Sequence, residues 1–333
     1  MREYEGFIYL FMASFSASSG ALAGKLASST WHSFDLVLIR FIGQLTIVSI
    51  LCLWKGINPY KEPFIIKQIM RGLLGAITFT SAIWANSNME LSNATMIRFV
   101  GPLFTMLLAK VVLKESISNI KIVSLFVGFL GVGLVAKPAF LFGQQSHNGD
   151  YPNRHLAVVA NIVSALTLSV STVLTKSIIN KIHILSLMYF FALVSLFATL
   201  PLQFLKQHSG TFGDLTLPII LALCYFFSQM CSNMGIKSVP ASVATLIQIS
   251  DTLFGVFYGV LVFGEKLDFF SLVGCFMVLS VSFLLAFEKY RLGKGYNPPA
   301  PNYVQLPIKG EPEINQEEED EIELEQIIKH VNK

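Results

Sequence analysis

The chain has 333 residues, 53% of them hydrophobic and 14% charged, with a mean hydropathy of +0.60, against about 25% charged residues in an ordinary soluble domain. That composition excludes a water-soluble globule. The formal charge of +3 is uneven, since nine acidic residues follow position 288 and the first 288 positions hold 18 basic and 12 acidic side chains, too dispersed to bind nucleic acid.

A hydrocarbon core about 30 Å thick takes roughly 20 apolar residues per helix. Residues 6–288 are apolar almost throughout, which leaves room for about ten spans with short loops. Charges, Pro and Asn break the hydropathy so as to predict spans at 6–27, 34–54, 69–89, 92–113, 119–136, 156–178, 184–205, 216–236, 240–263 and 268–288. The first span follows Met1–Glu5 with no small-residue cleavage site in place, so it is read as retained. All four cysteines, Cys52, Cys224, Cys231 and Cys275, fall inside spans and suggest no disulfide framework. With the N-terminus inside, twelve Lys or Arg residues, Arg71 among them, fall on the cytosolic side and five on the other; this asymmetry predicts both termini in the cytosol.

In chain order, span one carries Ser14, Ser16, Ser18, Ser19, Gly20 and Gly24 before Lys25. Span six repeats that character with Ser164, Thr167, Ser169, Ser171, Thr172 and Thr175 before Lys176. Such residues suit close helix packing or the wall of a wet cavity. Lys25 and Lys176 lie near opposite faces, where they snorkel to the interface or, on a second reading, gate a substrate path. Spans three and eight hold more polar groups than a lipid-facing helix tolerates, including Trp84 and Asn86 in one and Tyr225 and Gln229 in the other. Pro102 in span four removes a mid-helix hydrogen bond and frees a carbonyl; its counterpart in span nine is Thr252, beside Asp251. Gly128, Gly131 and Gly133 in span five and Gly274 in span ten give smooth faces.

Ser92–Glu115 laid over Ser242–Glu265 matches at Ser92/Ser242, Ala94/Ala244, Thr95/Thr245, Ile97/Ile247, Leu103/Leu253, Phe104/Phe254, Val112/Val262 and Glu115/Glu265. Five spans per copy invert the copies in the membrane, an arrangement many secondary transporters use around a midplane site. The expected fold is therefore all-α and integral to the membrane, with ten helices in two inverted five-helix repeats. Its parts are a first repeat at 1–137, a non-cytosolic loop at 138–155, a second repeat at 156–290 and a disordered acidic cytosolic tail at 291–333.

Met89–Ile97, followed by Gly101-Pro102-Leu103-Phe104 and Leu113-Lys114-Glu115, resembles the fourth-helix signature of the drug/metabolite transporter superfamily, and Val262–Leu267 is similar to its copy at the end of helix nine. Gly131–Gly143 and Ile39-Arg40-Phe41 are similar to subgroup G of solute carrier family 35. The resemblance covers about residues 6–288 and implies EamA-type repeats, transport of small organic solutes, and fifth and tenth spans that pack on each other or on a second copy in a homodimer. A non-transporting role, as a membrane partner regulating another protein through the tail, is the alternative it leaves open. Arg98 stands where that pattern has a small or polar residue.

Nothing points to an enzyme or a cofactor. The six histidines sit in loops or at span ends without metal-ligand or acid–base spacing, and Gly20–Leu26 lacks the length and hydroxyl of a phosphate loop. Glu115 and Glu265 suit a solvated or locally paired role at their span ends. The charged layer is the sharper signal. Counted at about 1.5 Å per residue, Arg40, Arg98 and Asp251 lie roughly 9–12 Å below the non-cytosolic surface. Asp251 either clamps both arginines or pairs with one, leaving the other, with Gln248, for an anionic metabolite. In the tail, Tyr303-Val304-Gln305-Leu306 fits a tyrosine-based signal for trafficking adaptors, consistent with a plasma, Golgi or endosomal membrane.

Overall fold

The structure is a computed structural model and describes residues 3–27, 30–88, 97–98, 100–136, 153–205, 214–263 and 269–293. Regular structure among these residues is helical: α1 (Glu3–Ala27), α2 (Ser33–Trp54), α3 (Ile65–Ser87), α4 (Val100–Val112), α5 (Asn119–Ala136), α6 (Arg154–Ile178), α7 (Ile184–Thr199), α8 (Thr216–Ser238), α9 (Ala241–Gln248), α10 (Asp251–Phe263) and α11 (Phe269–Gly293). Five stretches are long and apolar enough to cross a bilayer: Glu5–Ala27, Phe34–Trp54, His155–Ile178, Thr216–Ser238 and Ala241–Val262. Shorter apolar stretches come from α4, α5, α7 and α11. The outer faces expose Phe15, Ile50, Leu53, Val111, Phe126, Phe276 and Phe283, side chains that lipid tails solvate and water does not.

Three boundaries differ from the sequence expectation. The third helix starts at Ile65 and not at 69, after Phe64 takes a left-handed backbone (φ 62°); the Lys67 and Lys181 ammonium groups stand 4.9 and 5.4 Å from its ring. The seventh is α-helical only to Thr199 and turns 3-10 over Leu200–Leu205, because Pro201 has no N–H to continue the ladder. The ninth is broken into α9 and α10. Residues 89–96, 137–152 and 264–268, and the tail from 294, lie outside the described residues, and with them Glu265, Tyr303 and Leu306.

α1 packs antiparallel on α8, α3 on α6, α2 on α7 and α5 on α11; α3 also meets α7, α2 meets α8, α4 meets α6 and α10 meets α1. Exchanging the first five helices for the last six, with α9 and α10 together answering to α4, maps this set onto itself. Each half therefore covers the other's polar faces. One end of the bundle, the base, gathers the ends of α2, α4, α6 and α8 with the starts of α3, α5, α7 and α9; the opposite end is the rim. Imidazoles cap corresponding helices at opposite ends, His32 Nδ1 accepting from Phe34 N (3.3 Å) at α2 and His183 Nδ1 from Leu185 N (3.1 Å) at α7. At the α5–α11 crossing the smooth faces meet within one chain: a Cβ on Gly274 would stand 2.6 Å from the Gly131 carbonyl oxygen.

Candidate functional site

The site grows from the broken ninth span. Ile249 and Ser250 form the turn between α9 and α10, and interrupting a helix in an apolar setting strands backbone groups that need other partners. The serines of α1 supply them. Ser14 Oγ donates to Gln248 O (3.4 Å), Ser18 Oγ donates to Asp251 O (2.7 Å), and the Ser19 and Tyr258 hydroxyls bond each other. In the other half Ser169 Oγ of α6 donates to Gly101 O (2.9 Å), next to Pro102 in the first turn of α4. Gly101 and Asp251 occupy corresponding positions of the two copies, and Ser18 and Ser169 lie on the corresponding helices α1 and α6, each seven residues before the lysine of its span, Lys25 or Lys176. The paired interruptions read from Pro102 and Thr252 thus carry paired hydrogen bonds, and the hydroxyls in spans one and six serve packing by bonding across it.

Asp251 opens α10, and its side chain is exposed. Arg98 is the cation whose field reaches it. Arg40 does not join them. It is 5% exposed, its guanidinium lying 3.6 Å from the centre of the Phe79 ring and 4.1 Å from that of Tyr225. Its Nε has no protein partner, and the same holds for both amide atoms of the fully buried Gln44 and for Gln229 Oε1. Arg40, Gln44, Tyr225 and Gln229 thus form a polar patch between α2 and α8 with hydrogen-bonding capacity to spare. Gln248 is engaged elsewhere, donating to Ser232 Oγ at 2.7 Å. Trp84 packs with Ala85, Ile97, Ala157 and Val158 near the rim; the Asn86 side chain lies outside the described residues. A clamp in which Asp251 holds both arginines is not formed.

The base is fastened by two residues whose roles differ from the sequence expectation. Lys176 does not snorkel; its Nζ donates to the carbonyls of Ile236 (2.7 Å) and Val239 (2.6 Å), the unsatisfied C-terminal end of α8. Glu115 does not pair with Lys114. Its carboxylate accepts from Ala241 N (2.7 Å), Ser242 N (3.2 Å) and Ser242 Oγ (2.7 Å) at the first turn of α9. At the rim, the Lys25 side chain is exposed.

Arg71 was placed by the sequence at a cytosolic span end, as one charge in the topology count. It is buried inside the bundle instead, joined to Thr175 of α6, the Leu187 carbonyl of α7 and Asn233 of α8. Its only advance signal was an arginine next to an apolar run.

Residues 5–137 match the EamA-like transporter family, and residues 155–287 match it again. The chain belongs to that family. Among its relatives, this EamA protein is 23% identical to solute carrier family 35 member G1 of Homo sapiens over 86% of its own length and 80% of that protein's. It is 21% identical to an S-adenosylmethionine uptake transporter of Rickettsia prowazekii, over 85% and 93% of the two lengths. A probable transport protein of Saccharomyces cerevisiae is 24% identical, and the match spans 64% of this chain and 65% of the yeast protein. A solved crystal structure superposes with a TM-score of 0.72 at 15% identity, over 86% of this chain and 98% of that one, which shows the shared fold.

Proposed function

We propose that this EamA-family chain is a secondary or facilitative carrier of a small organic anion, working across ten spans by alternating access, with the base of the bundle in the cytosol. One observation carries the reading: among the described residues, the buried arginines Arg40 and Arg71 meet no acid. Arg40 and Arg71 are 5% exposed and have neutral partners, and Asp251 is the acid that faces Arg98. An uncompensated cation in an apolar interior is costly, and a solute carrying a carboxylate or phosphate offsets that cost while it is bound. The broken ninth span and Pro102 supply irregular backbone at corresponding depth, the setting in which such carriers place their sites. Arg98, Asp251 and the Arg40–Tyr225–Gln229 patch make up the central site, and Lys176 with Glu115 holds its cytosolic side closed.

Purified protein in liposomes tests this. Saturable, ATP-independent uptake of at least one member of a panel of mono- and dicarboxylates and phosphate esters is expected, with Arg98→Gln lowering it at unchanged expression. Absence of saturable flux for the whole panel overturns the anion-carrier reading. Undiminished flux in Arg98→Gln removes Arg98 from the site.

A further inference from the structure

Arg71 lies six residues into α3, about 9 Å from the start of the helix. Its Nε donates to Thr175 Oγ1 (2.6 Å), one Nη to Leu187 O (3.3 Å) and the other Nη to Asn233 Oδ1 (3.1 Å). The Phe191 ring lies 4.7 Å from the guanidinium. A guanidinium has five N–H bonds, so each Nη keeps one unused. Because Arg71 donates to Oδ1, the other end of the Asn233 amide is its NH2 group. That Nδ2 is buried without a partner in a side chain that is 1% exposed.

The cluster therefore offers donors and positive charge with no acceptor left over. Water or a neutral carbonyl can accept those N–H bonds but supplies no charge to oppose that of the guanidinium. An oxyanion does, because its oxygens accept only and its charge opposes that of the guanidinium. We infer that Arg71, Asn233 and Thr175 form a second oxyanion site near the base, taking the carboxylate or phosphate group of the solute. The inference rests on the anion-carrier reading. In this structure the cluster is buried, Arg71 being 5% and Asn233 1% exposed, and Lys176, next to Thr175, fastens the end of α8 beside it. Phe41, Phe79 and Phe191 form an edge-on aromatic wall between Arg71 and Arg40. An anion crossing from rim to base passes from one arginine, across that wall, to the other.

The test is thermal unfolding of the purified full chain at constant ionic strength, with chloride replaced stepwise by acetate, succinate, methyl phosphate or inorganic phosphate. The unfolding temperature of wild type should rise by a few degrees as a bound oxyanion accumulates, the first pair reporting carboxylate and the second phosphate. Asn233→Asp keeps the oxygen that receives the Arg71 bond and supplies the missing carboxylate. It should unfold at higher temperature without oxyanion, and its half-saturating concentration should be at least about tenfold higher than that of wild type. Arg71→Gln should lose the response. A residue serving only to tie helices together would leave the response of Asn233→Asp intact, and that result overturns the site. No rise in wild type with any of the four anions overturns it as well. Arg98→Gln separates the two readings: a response lost there and kept in the other two variants overturns this site and leaves the central one standing.

Discussion

Lys176 and Glu115 hold opposite sides of one turn, the lysine taking the last carbonyls of α8 and the glutamate the first N–H groups of α9. Each charge faces the helix-dipole end it favours. Glu115→Ala should cost about 1–2 kcal/mol, read as a fall of about 2–4 °C or more in the unfolding temperature of the full chain. Lys176→Met should do likewise. Because both act on the Ser238–Pro240 turn, the double variant should lose less than the two single losses together. Strict additivity in that cycle would show that the two groups act independently.

The α5–α11 crossing makes a sharper packing prediction. Gly274→Ala drives a methyl group to 2.6 Å from the Gly131 carbonyl oxygen, so the helices must separate, at a cost of about 1–3 kcal/mol. Gly255 in α10 is the control, since a methyl group at that position would meet nothing within 4 Å. There Gly→Ala should stabilise by about 0.5–1 kcal/mol through lower unfolded-state entropy. Equal responses at the two positions would contradict the crossing.

His183 gives one source of acid sensitivity. As an acceptor from Leu185 N its imidazole must be neutral, and burial, with help from Lys55 and Lys237 and against the pull of Glu62, sets its pKa below the usual histidine value. A lowered folded pKa means that the unfolded chain binds the proton first. This cap's contribution is therefore complete above the ordinary histidine pKa and is lost as pH falls through the lower folded value. His183→Asn caps without titrating in this range, so its unfolding temperature should fall less than that of wild type between pH 8 and pH 5. Parallel curves would exclude the mechanism.

Orientation is open to direct labelling. Ser116 at the base and Asn153 at the rim are exposed, and Ser116→Cys and Asn153→Cys, each placed in a background without native cysteines, should react with an impermeant maleimide from opposite sides of sealed vesicles. The charge asymmetry expects Ser116→Cys to react from the cytosolic side. Reaction of both from one side would rule out the up-and-down bundle.

Hydropathy located most of the helices because apolar length is a property of the single chain, and depth counting put Asp251 and Arg98 in one layer for the same reason. What it missed depends on partners far away in sequence. Arg71 looked like a loop charge because its neighbours Thr175, Leu187 and Asn233 lie 104 to 162 residues away. The break after Gln248 has no Pro or Gly of its own to announce it. Its advance signs were indirect: its correspondence to Pro102 through the repeat, and the serine content of α1, whose meaning depends on which carbonyls the serines reach. At Arg40 ring stacking replaced the foreseen carboxylate, and stacking leaves no periodic trace in a sequence.

The interlocked halves have a consequence for how the protein is made. Ser18 bonds a residue 233 positions later, which at about 5–20 residues per second emerges from the ribosome roughly 10–50 s afterwards. Through that interval Arg71 and the serine face of α1 sit in the bilayer or its insertion machinery without their final partners. Biogenesis of the first five helices therefore depends on a holding environment that tolerates a guanidinium, and a chain released from the ribosome near residue 137 is a natural substrate for membrane quality control.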